Sequence, residues 1–133
     1  MGMELELTSG LEATLLEEAA RAHPHECCGM LLGRGSRIEH VQGAANVHSD
    51  PAAHFALDPA ALIAAYRAAR TGGPEVIGYY HSHPNGLARP SATDRAQASG
   101  DGRVWAIVIS GKVTWWLDTP HGFEPLPTRV AAG

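Results

Sequence analysis

Cysteine is scarce in this sequence, and its scarcity excludes one common way of stabilising a small protein. Only two of the 133 residues are cysteines. Cys27 and Cys28 are neighbours, so in a strand their side chains point to opposite faces and do not form a mutual disulfide. The chain therefore has no disulfide framework. We expect both thiols to act as small apolar side chains, and any further role for them stays open.

Long apolar runs and an excess of basic charge are also missing. The longest wholly apolar runs, such as residues 104–109, are far shorter than the roughly 20 residues of a membrane-spanning helix, so we predict no membrane partner. The formal net charge is −4, and the 10 basic residues are scattered along the chain. Nucleic acid is therefore not an expected partner either. The acidic start of the chain is unlike a secretory signal and favours a cytoplasmic protein.

The remaining composition is that of an ordinary globular protein. Hydrophobic residues make up 44% of the chain and charged residues 18%, which is enough apolar material for a real core. A chain of this length suits one domain, and we predict a single domain over residues 1–133. Helical and strand patterns alternate, and several strands pair as hairpins. These features predict an α/β fold with a mixed, largely antiparallel sheet flanked by helices.

Three helices are predicted from apolar periodicity and capping signals. The first begins at Ser9, where Glu12 completes a capping box, and buries a leucine face until Pro24 stops it. The second begins at the pair Asp58-Pro59 and runs through Arg70. Its predicted buried stripe consists of Leu62, Ile63 and Tyr66. A short third helix is expected from residue 91 to about residue 99.

Strands are predicted where apolar residues alternate or run together between turn residues. The expected segments are residues 4–8, 28–34, 37–42, 53–57, 76–80, 104–110 and 113–117. A last edge strand is expected around residues 123–126, followed by a frayed tail after Pro127. Trp115 and Trp116 should face opposite ways, so that one of them belongs to the core.

The most informative stretch runs from His81 to Asp94. His81 and His83 end a β-rich run, and alternate residues of a strand share one face, so both imidazoles can converge on one ion. Pro84 begins a turn that ends the strand. Ser91 then opens a helix and places the carboxylate of Asp94 in its first turn, available as a third ligand. Two histidines and one carboxylate leave a fourth tetrahedral position free, as in catalytic zinc sites.

Each half of this pattern also has a simpler interpretation. Histidines near a strand end are often surface residues. The spacing of Ser91 and Asp94 is also that of a capping box, in which both side chains bond only to backbone N–H groups. Two nitrogens and a carboxylate would, in addition, suit iron or another divalent ion.

Taken together, the two halves resemble the signature of the JAMM (MPN+) metalloprotease family. That signature is an upstream Glu, then H-[ST]-H-P, then a short loop ending in S-x-x-D. Glu26, which precedes a glycine-containing apolar strand, matches the upstream position. The resemblance implies an MPN/JAMM fold with a cytidine-deaminase-like core. It further implies that His81, His83 and Asp94 bind one zinc ion with a bound water, that Glu26 is the general base, and that Ser91 donates to the developing oxyanion.

The resemblance also implies an activity and a substrate class. The chain is short, like the compact bacterial-type members that process the C-terminus of ubiquitin-like sulfur-carrier proteins. We therefore expect a zinc metalloprotease that hydrolyses an amide bond at or after the C-terminal glycine tail of such a carrier. The alternative is a non-catalytic MPN-type scaffold that binds proteins. Oligomeric state and the choice between isopeptide and linear bonds stay open, as do the roles of His48 and His54 in the polar loop of residues 43–55.

Overall fold

A computed structural model describes residues 4–131, which form eight strands and three helices. Their order confirms the predicted α/β class with a mixed sheet. None of the helices in this range is long and apolar enough to cross a membrane. The elements are β1 (Leu5–Leu7), α1 (Leu11–Ala22), β2 (Cys28–Arg34), β3 (Arg37–Ala44), α2 (Pro59–Arg70), β4 (Glu75–Ser82), α3 (Ala92–Gln97), β5 (Val104–Ile109), β6 (Lys112–Thr119), β7 (Gly122–Pro125) and β8 (Thr128–Val130).

One sheet contains all of these strands, in the order β7-β6-β5-β4-β2-β3-β1-β8. β2 is antiparallel to both β3 and β4, and β6 is antiparallel to both β5 and β7. β4 and β5 run parallel in the middle of the sheet. Their C-terminal ends therefore meet at the same edge, which is where the histidine pair lies.

The two long helices cover opposite faces of the sheet. Leu11 and Leu15 of α1 pack in one core cluster with Leu31 and Tyr80, while Ala65 of α2 packs in a second cluster. Side chains alternate across a strand, so Tyr79 joins the α2 side and Tyr80 the α1 side. By the same alternation, the two histidines beyond Tyr80 project on the α2 side.

The C-terminal segment connects β6, next to one edge of the sheet, with β1, next to the other. The N–H of Leu126 donates to the carbonyl of Trp115 on β6, and the next residue, Pro127, accepts from the N–H of Leu5 on β1. The sheet consequently curls around α1. Trp115 is buried and Trp116 is half-buried, as predicted for opposite faces. The Trp115 indole donates to Glu12 of α1 at 2.8 Å.

Two predictions about the helices are wrong. The predicted capping box at Ser9 does not form, because the N-cap residue of α1 is Gly10, which has φ 84° and provides no side-chain cap. Ile63 is not part of the buried stripe of α2, since it is 56% exposed. The contact face of α2 instead lies around Leu62, Ala65 and Tyr66, and Ile63 is rotated away from it.

Two predictions about the strands are also wrong, and some boundaries shift. Residues 53–57 do not form a strand, because only Leu57 pairs, through an isolated bridge to Asn46. The tail after Pro127 forms β8, which pairs with β1 in parallel. Local sequence patterns do not show that β1 has a free side with which these residues can pair. In addition, β3 and β6 are longer than predicted, and α3 ends at Gln97.

Gly78 should be required for the close approach of β4 and β5. A Cβ atom at this position would lie 1.8 Å from the carbonyl oxygen of Val104. Gly78→Ala should therefore push the strands apart and lower the free energy of unfolding by about 3 kcal/mol or more, measured by urea denaturation. Gly111→Ala is the control, because its Cβ would meet nothing within 4 Å. It should cost only the left-handed strain, about 1 kcal/mol. Equal losses in the two variants would contradict this account.

Candidate metal centre

The end of β4 positions the two histidines. His81 belongs to the strand, and the N–H of His83 donates to the carbonyl of Val108 at 2.9 Å, which extends the pairing with β5 by one residue. The strand geometry therefore continues through His83, and both rings share a face. The two Nε2 atoms lie 2.9 Å apart. Both side chains are buried, with 1% and 7% of their residue surfaces exposed.

Asp94 completes this group from the first turn of α3. Its Oδ1 lies 3.1 Å from Nε2 of His81, and its Oδ2 lies 3.1 Å from Nε2 of His83. Asp94 also forms the predicted capping box, since Ser91 Oγ accepts from its N–H at 3.0 Å and its Oδ2 accepts from the Ser91 N–H at 2.9 Å. The capping-box interpretation is thus correct, and the box leaves the carboxylate facing both histidines. The cap fixes the carboxylate that faces the histidines.

The turn after β4 orients the ring of His83. Its Nδ1 donates to the carbonyl of Leu87 at 2.7 Å. The Leu87 N–H in turn donates to the side-chain oxygen of Asn85. A ring that carries its proton on Nδ1 presents Nε2 as a ligand, and such a backbone partner is usual for metal-binding histidines. The turn residues therefore have a role in the site besides ending the strand.

The charges of the group fit a cation. Burial alone would raise the pKa of Asp94, but hydrogen bonds with His81 and His83 hold that pKa well below its usual range. Burial lowers the pKa of His83, yet Asp94 and the Leu87 carbonyl outweigh it and raise this pKa above its ordinary value. The group thus attracts positive charge to the space between its acceptor atoms. One ligand atom from each residue lies within 4.8 Å of the others, which suits a single divalent ion.

Glu26 lies in the same cleft, just before β2. It is 6% exposed and lines a cavity of about 160 Å³ together with His83, Asp94 and Ser91. Burial is the main cause that raises the pKa of Glu26 to about 7; the His83 charge opposes this, and Asp94 adds to it. A carboxyl group with this pKa can accept and return a proton near neutral pH.

Comparison with known proteins identifies the family. The model of prokaryotic homologues of the JAB domain matches residues 8–118. The chain belongs to this prokaryotic JAB family. Membership confirms the JAMM/MPN+ resemblance on which the interpretation of the motif rested.

Individual relatives agree with this JAB assignment. A desampylase from Haloferax volcanii is 37% identical over 117 residues, covering 86% of this chain and 84% of its own length. A probable TtuB-protein conjugate cleaving protease from Thermus thermophilus is 40% identical over 89 residues, covering 63% of this chain and 59% of its own length. The solution structure of a Desulfitobacterium hafniense protein matches with a TM-score of 0.84 and 28% identity, over 98% of this chain and 94% of that one. The names of the two relatives support a hydrolase of the protease type.

Two aromatic residues of this JAB domain surround His81 and were not singled out from the sequence. The Phe55 ring stacks on the His81 imidazole, with centroids 4.2 Å apart and planes at 18°. Trp105 meets the same imidazole edge-on at 5.8 Å and 87°. Phe55 lies in an irregular loop without periodicity, so no local pattern indicated it. Trp105 lies in β5, where alternation predicts that neighbouring residues face opposite ways, but only the register with β4 places it on the face of His81.

The other candidate residues divide into those near the cleft and those away from it. His54 lines the cleft, and the ring of His48 packs against the ring of His54, with centroids 4.9 Å apart.

Both cysteines are free. Burial raises the pKa of the Cys28 thiol to about 12. This supports the expectation that the thiol is an apolar group, since a metal ligand would have to be a thiolate.

Removing a ligand should lower the metal content. His81→Ala and Asp94→Asn should each reduce bound zinc well below the roughly one ion per chain expected of such a site, measured by elemental analysis after dialysis. His54→Ala is the control, because His54 lines the cleft but does not belong to the converging group of three residues, and it should keep its zinc. Unchanged zinc in both ligand variants would contradict the assignment.

Proposed function

We propose that this protein is a zinc-dependent isopeptidase that hydrolyses the amide bond after the C-terminal glycine tail of a ubiquitin-like, sulfur-carrier protein. The observation that carries the proposal is that buried Glu26 shares one open cleft with His83 and Asp94, which converge with buried His81 as a group that could hold a metal ion. The desampylase and the TtuB-conjugate cleaving protease support isopeptidase action on ubiquitin-like protein conjugates.

His81, His83 and Asp94 are the proposed zinc ligands. Zinc bound here would polarise the substrate carbonyl and lower the pKa of a water molecule. Glu26 accepts the proton of the attacking water and then donates it to the departing amine. The pKa of about 7 allows Glu26 to perform both transfers near neutral pH.

Ser91 is the proposed oxyanion donor. Its Oγ already accepts the N–H of Asp94, which fixes the oxygen at the wall of the cleft. The Ser91 hydroxyl donates no hydrogen bond to another group among residues 4–131. It can therefore donate to the substrate oxygen on which negative charge develops. One side chain thus caps α3 and serves the reaction.

The dimensions of the cleft favour a narrow substrate. A volume of about 160 Å³ is below the roughly 300 Å³ at which drug-sized ligand pockets begin. The lining of the cleft includes Ala52 and Ala53 from the loop before α2, and Pro84, Asn85 and Leu87 from the turn after β4. A glycine tail presents backbone with no side chains and suits this space.

The alternative, a non-catalytic scaffold that binds proteins, would not require a buried carboxyl group beside three converging candidate ligands. The arrangement therefore favours the enzyme over the scaffold.

Glu26→Gln tests the proposed base. It should retain zinc but lose turnover by about a hundredfold or more, because an amide cannot shuttle the proton. Turnover is measured by mass spectrometry on an isopeptide conjugate of a ubiquitin-like protein and, in parallel, on a linear C-terminal extension of the same protein. Exposed Glu17→Gln is the matched control and should behave as wild type. If the wild-type protein with bound zinc leaves both substrates intact, the proposed function is wrong.

Ser91→Ala tests the oxyanion donor separately. It should lower turnover by about a hundredfold, the usual effect of losing one such donor, while zinc stays bound. Because the substitution also removes a helix cap, zinc content is measured on the same sample. Ser91→Thr keeps a hydroxyl group and should restore most of the activity. Full activity of the alanine variant would exclude Ser91 from the reaction.

A further inference from the structure

The side chain of Asn46 lies in the loop between β3 and α2 and binds the backbone around Glu26. Its Nδ2 donates to the carbonyls of Glu26 and His54 at 3.0 Å each, and to the carbonyl of Pro51 at 3.4 Å. The Glu26 N–H also donates to the Pro51 carbonyl, at 2.8 Å. Both backbone polar groups of Glu26 are therefore held by this loop.

The amide oxygen of Asn46 closes the other half of the loop. Oδ1 accepts from the N–H groups of His48 and Ala56, each at 3.1 Å. The N–H of Val47 donates to the Ala56 carbonyl at 2.9 Å. Ala56 follows Phe55 directly, so these bonds fix the backbone that carries the ring stacked on His81.

The strand register explains why this position reaches Glu26. Cys28 of β2 pairs with Ala44 of β3 in antiparallel register. The same register sets Glu26, two residues before Cys28, opposite Asn46, two residues after Ala44. The ladder does not continue there. The side-chain amide of Asn46 takes over the donor role that a strand neighbour would have, which leaves Glu26 free of the sheet but still fixed in place.

We propose that Asn46 is a positioning residue for the amide hydrolysis, acting mainly on Glu26 and also on His81 through Phe55. This inference rests on the proposed function. A purely structural asparagine would affect the stability of the loop but not the turnover of folded, zinc-loaded protein. Partners in the second layer of metal sites typically contribute 10–100-fold to activity, and this is the size of effect that we expect here.

Asn46→Ala should lower kcat by about 10–100-fold, with KM changed less than about twofold and zinc content unchanged. Asn46→Asp keeps the acceptor for His48 and Ala56 but loses the donors to Glu26, and it should lose a similar factor in kcat. Exposed Gln42→Ala on β3 is the control and should retain full activity. Wild-type kcat in both Asn46 variants would overturn the proposal.

A double variant separates action through Glu26 from a general effect. In the Glu26→Gln background, Asn46→Ala should reduce the residual turnover by less than about twofold, because the group that it positions is already gone. A further loss as large as in the wild-type background would show that Asn46 does not act through Glu26, and would overturn the proposal.

Amide hydrogen exchange provides a readout that does not depend on catalysis. In Asn46→Ala, exchange at the Ala56 amide should accelerate by about tenfold or more, because this amide loses its acceptor. Exchange at the Glu26 amide should accelerate similarly, because its acceptor, the Pro51 carbonyl, loses the Asn46 donor that holds it. Exchange at Leu31 in the core should stay as in wild type. In Asn46→Asp, Ala56 should remain protected and Glu26 should not. If wild type cleaves no conjugate, the proposed function fails, and the exchange result alone decides whether Asn46 holds Glu26. Unchanged exchange at the Glu26 amide in both variants would show that Asn46 does not hold Glu26 in place.

Discussion

A carboxylate buried between two imidazoles is the interaction on which this molecule depends most. Asp94 is 3% exposed, and each of its oxygens faces one ring nitrogen. A buried negative charge is costly unless positive charge or hydrogen-bond donors surround it. The ring of His83 and the N–H of Ser91 supply part of that compensation. A divalent ion would supply the rest, so the electrostatics that favour metal binding and those that hold α3 in place are the same.

The sheet provides the rigid support for this arrangement. β4 lies between β2 and β5 and is covered by a helix on each face, so its end cannot shift independently of the core. The parallel pairing with β5 brings Trp105 beside His81, and alternation points both histidines to one side. Precise ligand geometry is easier to maintain at the end of such a strand than on a free loop. The turn and α3 then need to place only one further candidate ligand, Asp94.

The irregular loop between β3 and α2 contributes more than its lack of secondary structure suggests. It anchors both backbone groups of Glu26, provides Phe55 against His81, and forms one wall of the cleft. Its shape depends on the side chain of Asn46 together with an isolated bridge and a few backbone bonds. The proposed base and one proposed ligand of this JAB-family chain thus share a single support. Their relative position is consequently a property of the loop as a whole.

The amino-acid sequence by itself determined the features that follow from short-range geometry. Strand alternation placed His81 and His83 on one face, and the cap spacing placed Asp94 in the first turn of α3, because both effects act within a few residues. Glu26 came only from family resemblance, since no local pattern distinguishes it. Tertiary structure alone decided that Phe55 stacks on His81, that Asn46 binds around Glu26, that Ile63 faces solvent, and that residues 128–130 pair with β1. These contacts join segments distant in the chain, and neither periodicity nor capping carries information about which distant partner a residue meets.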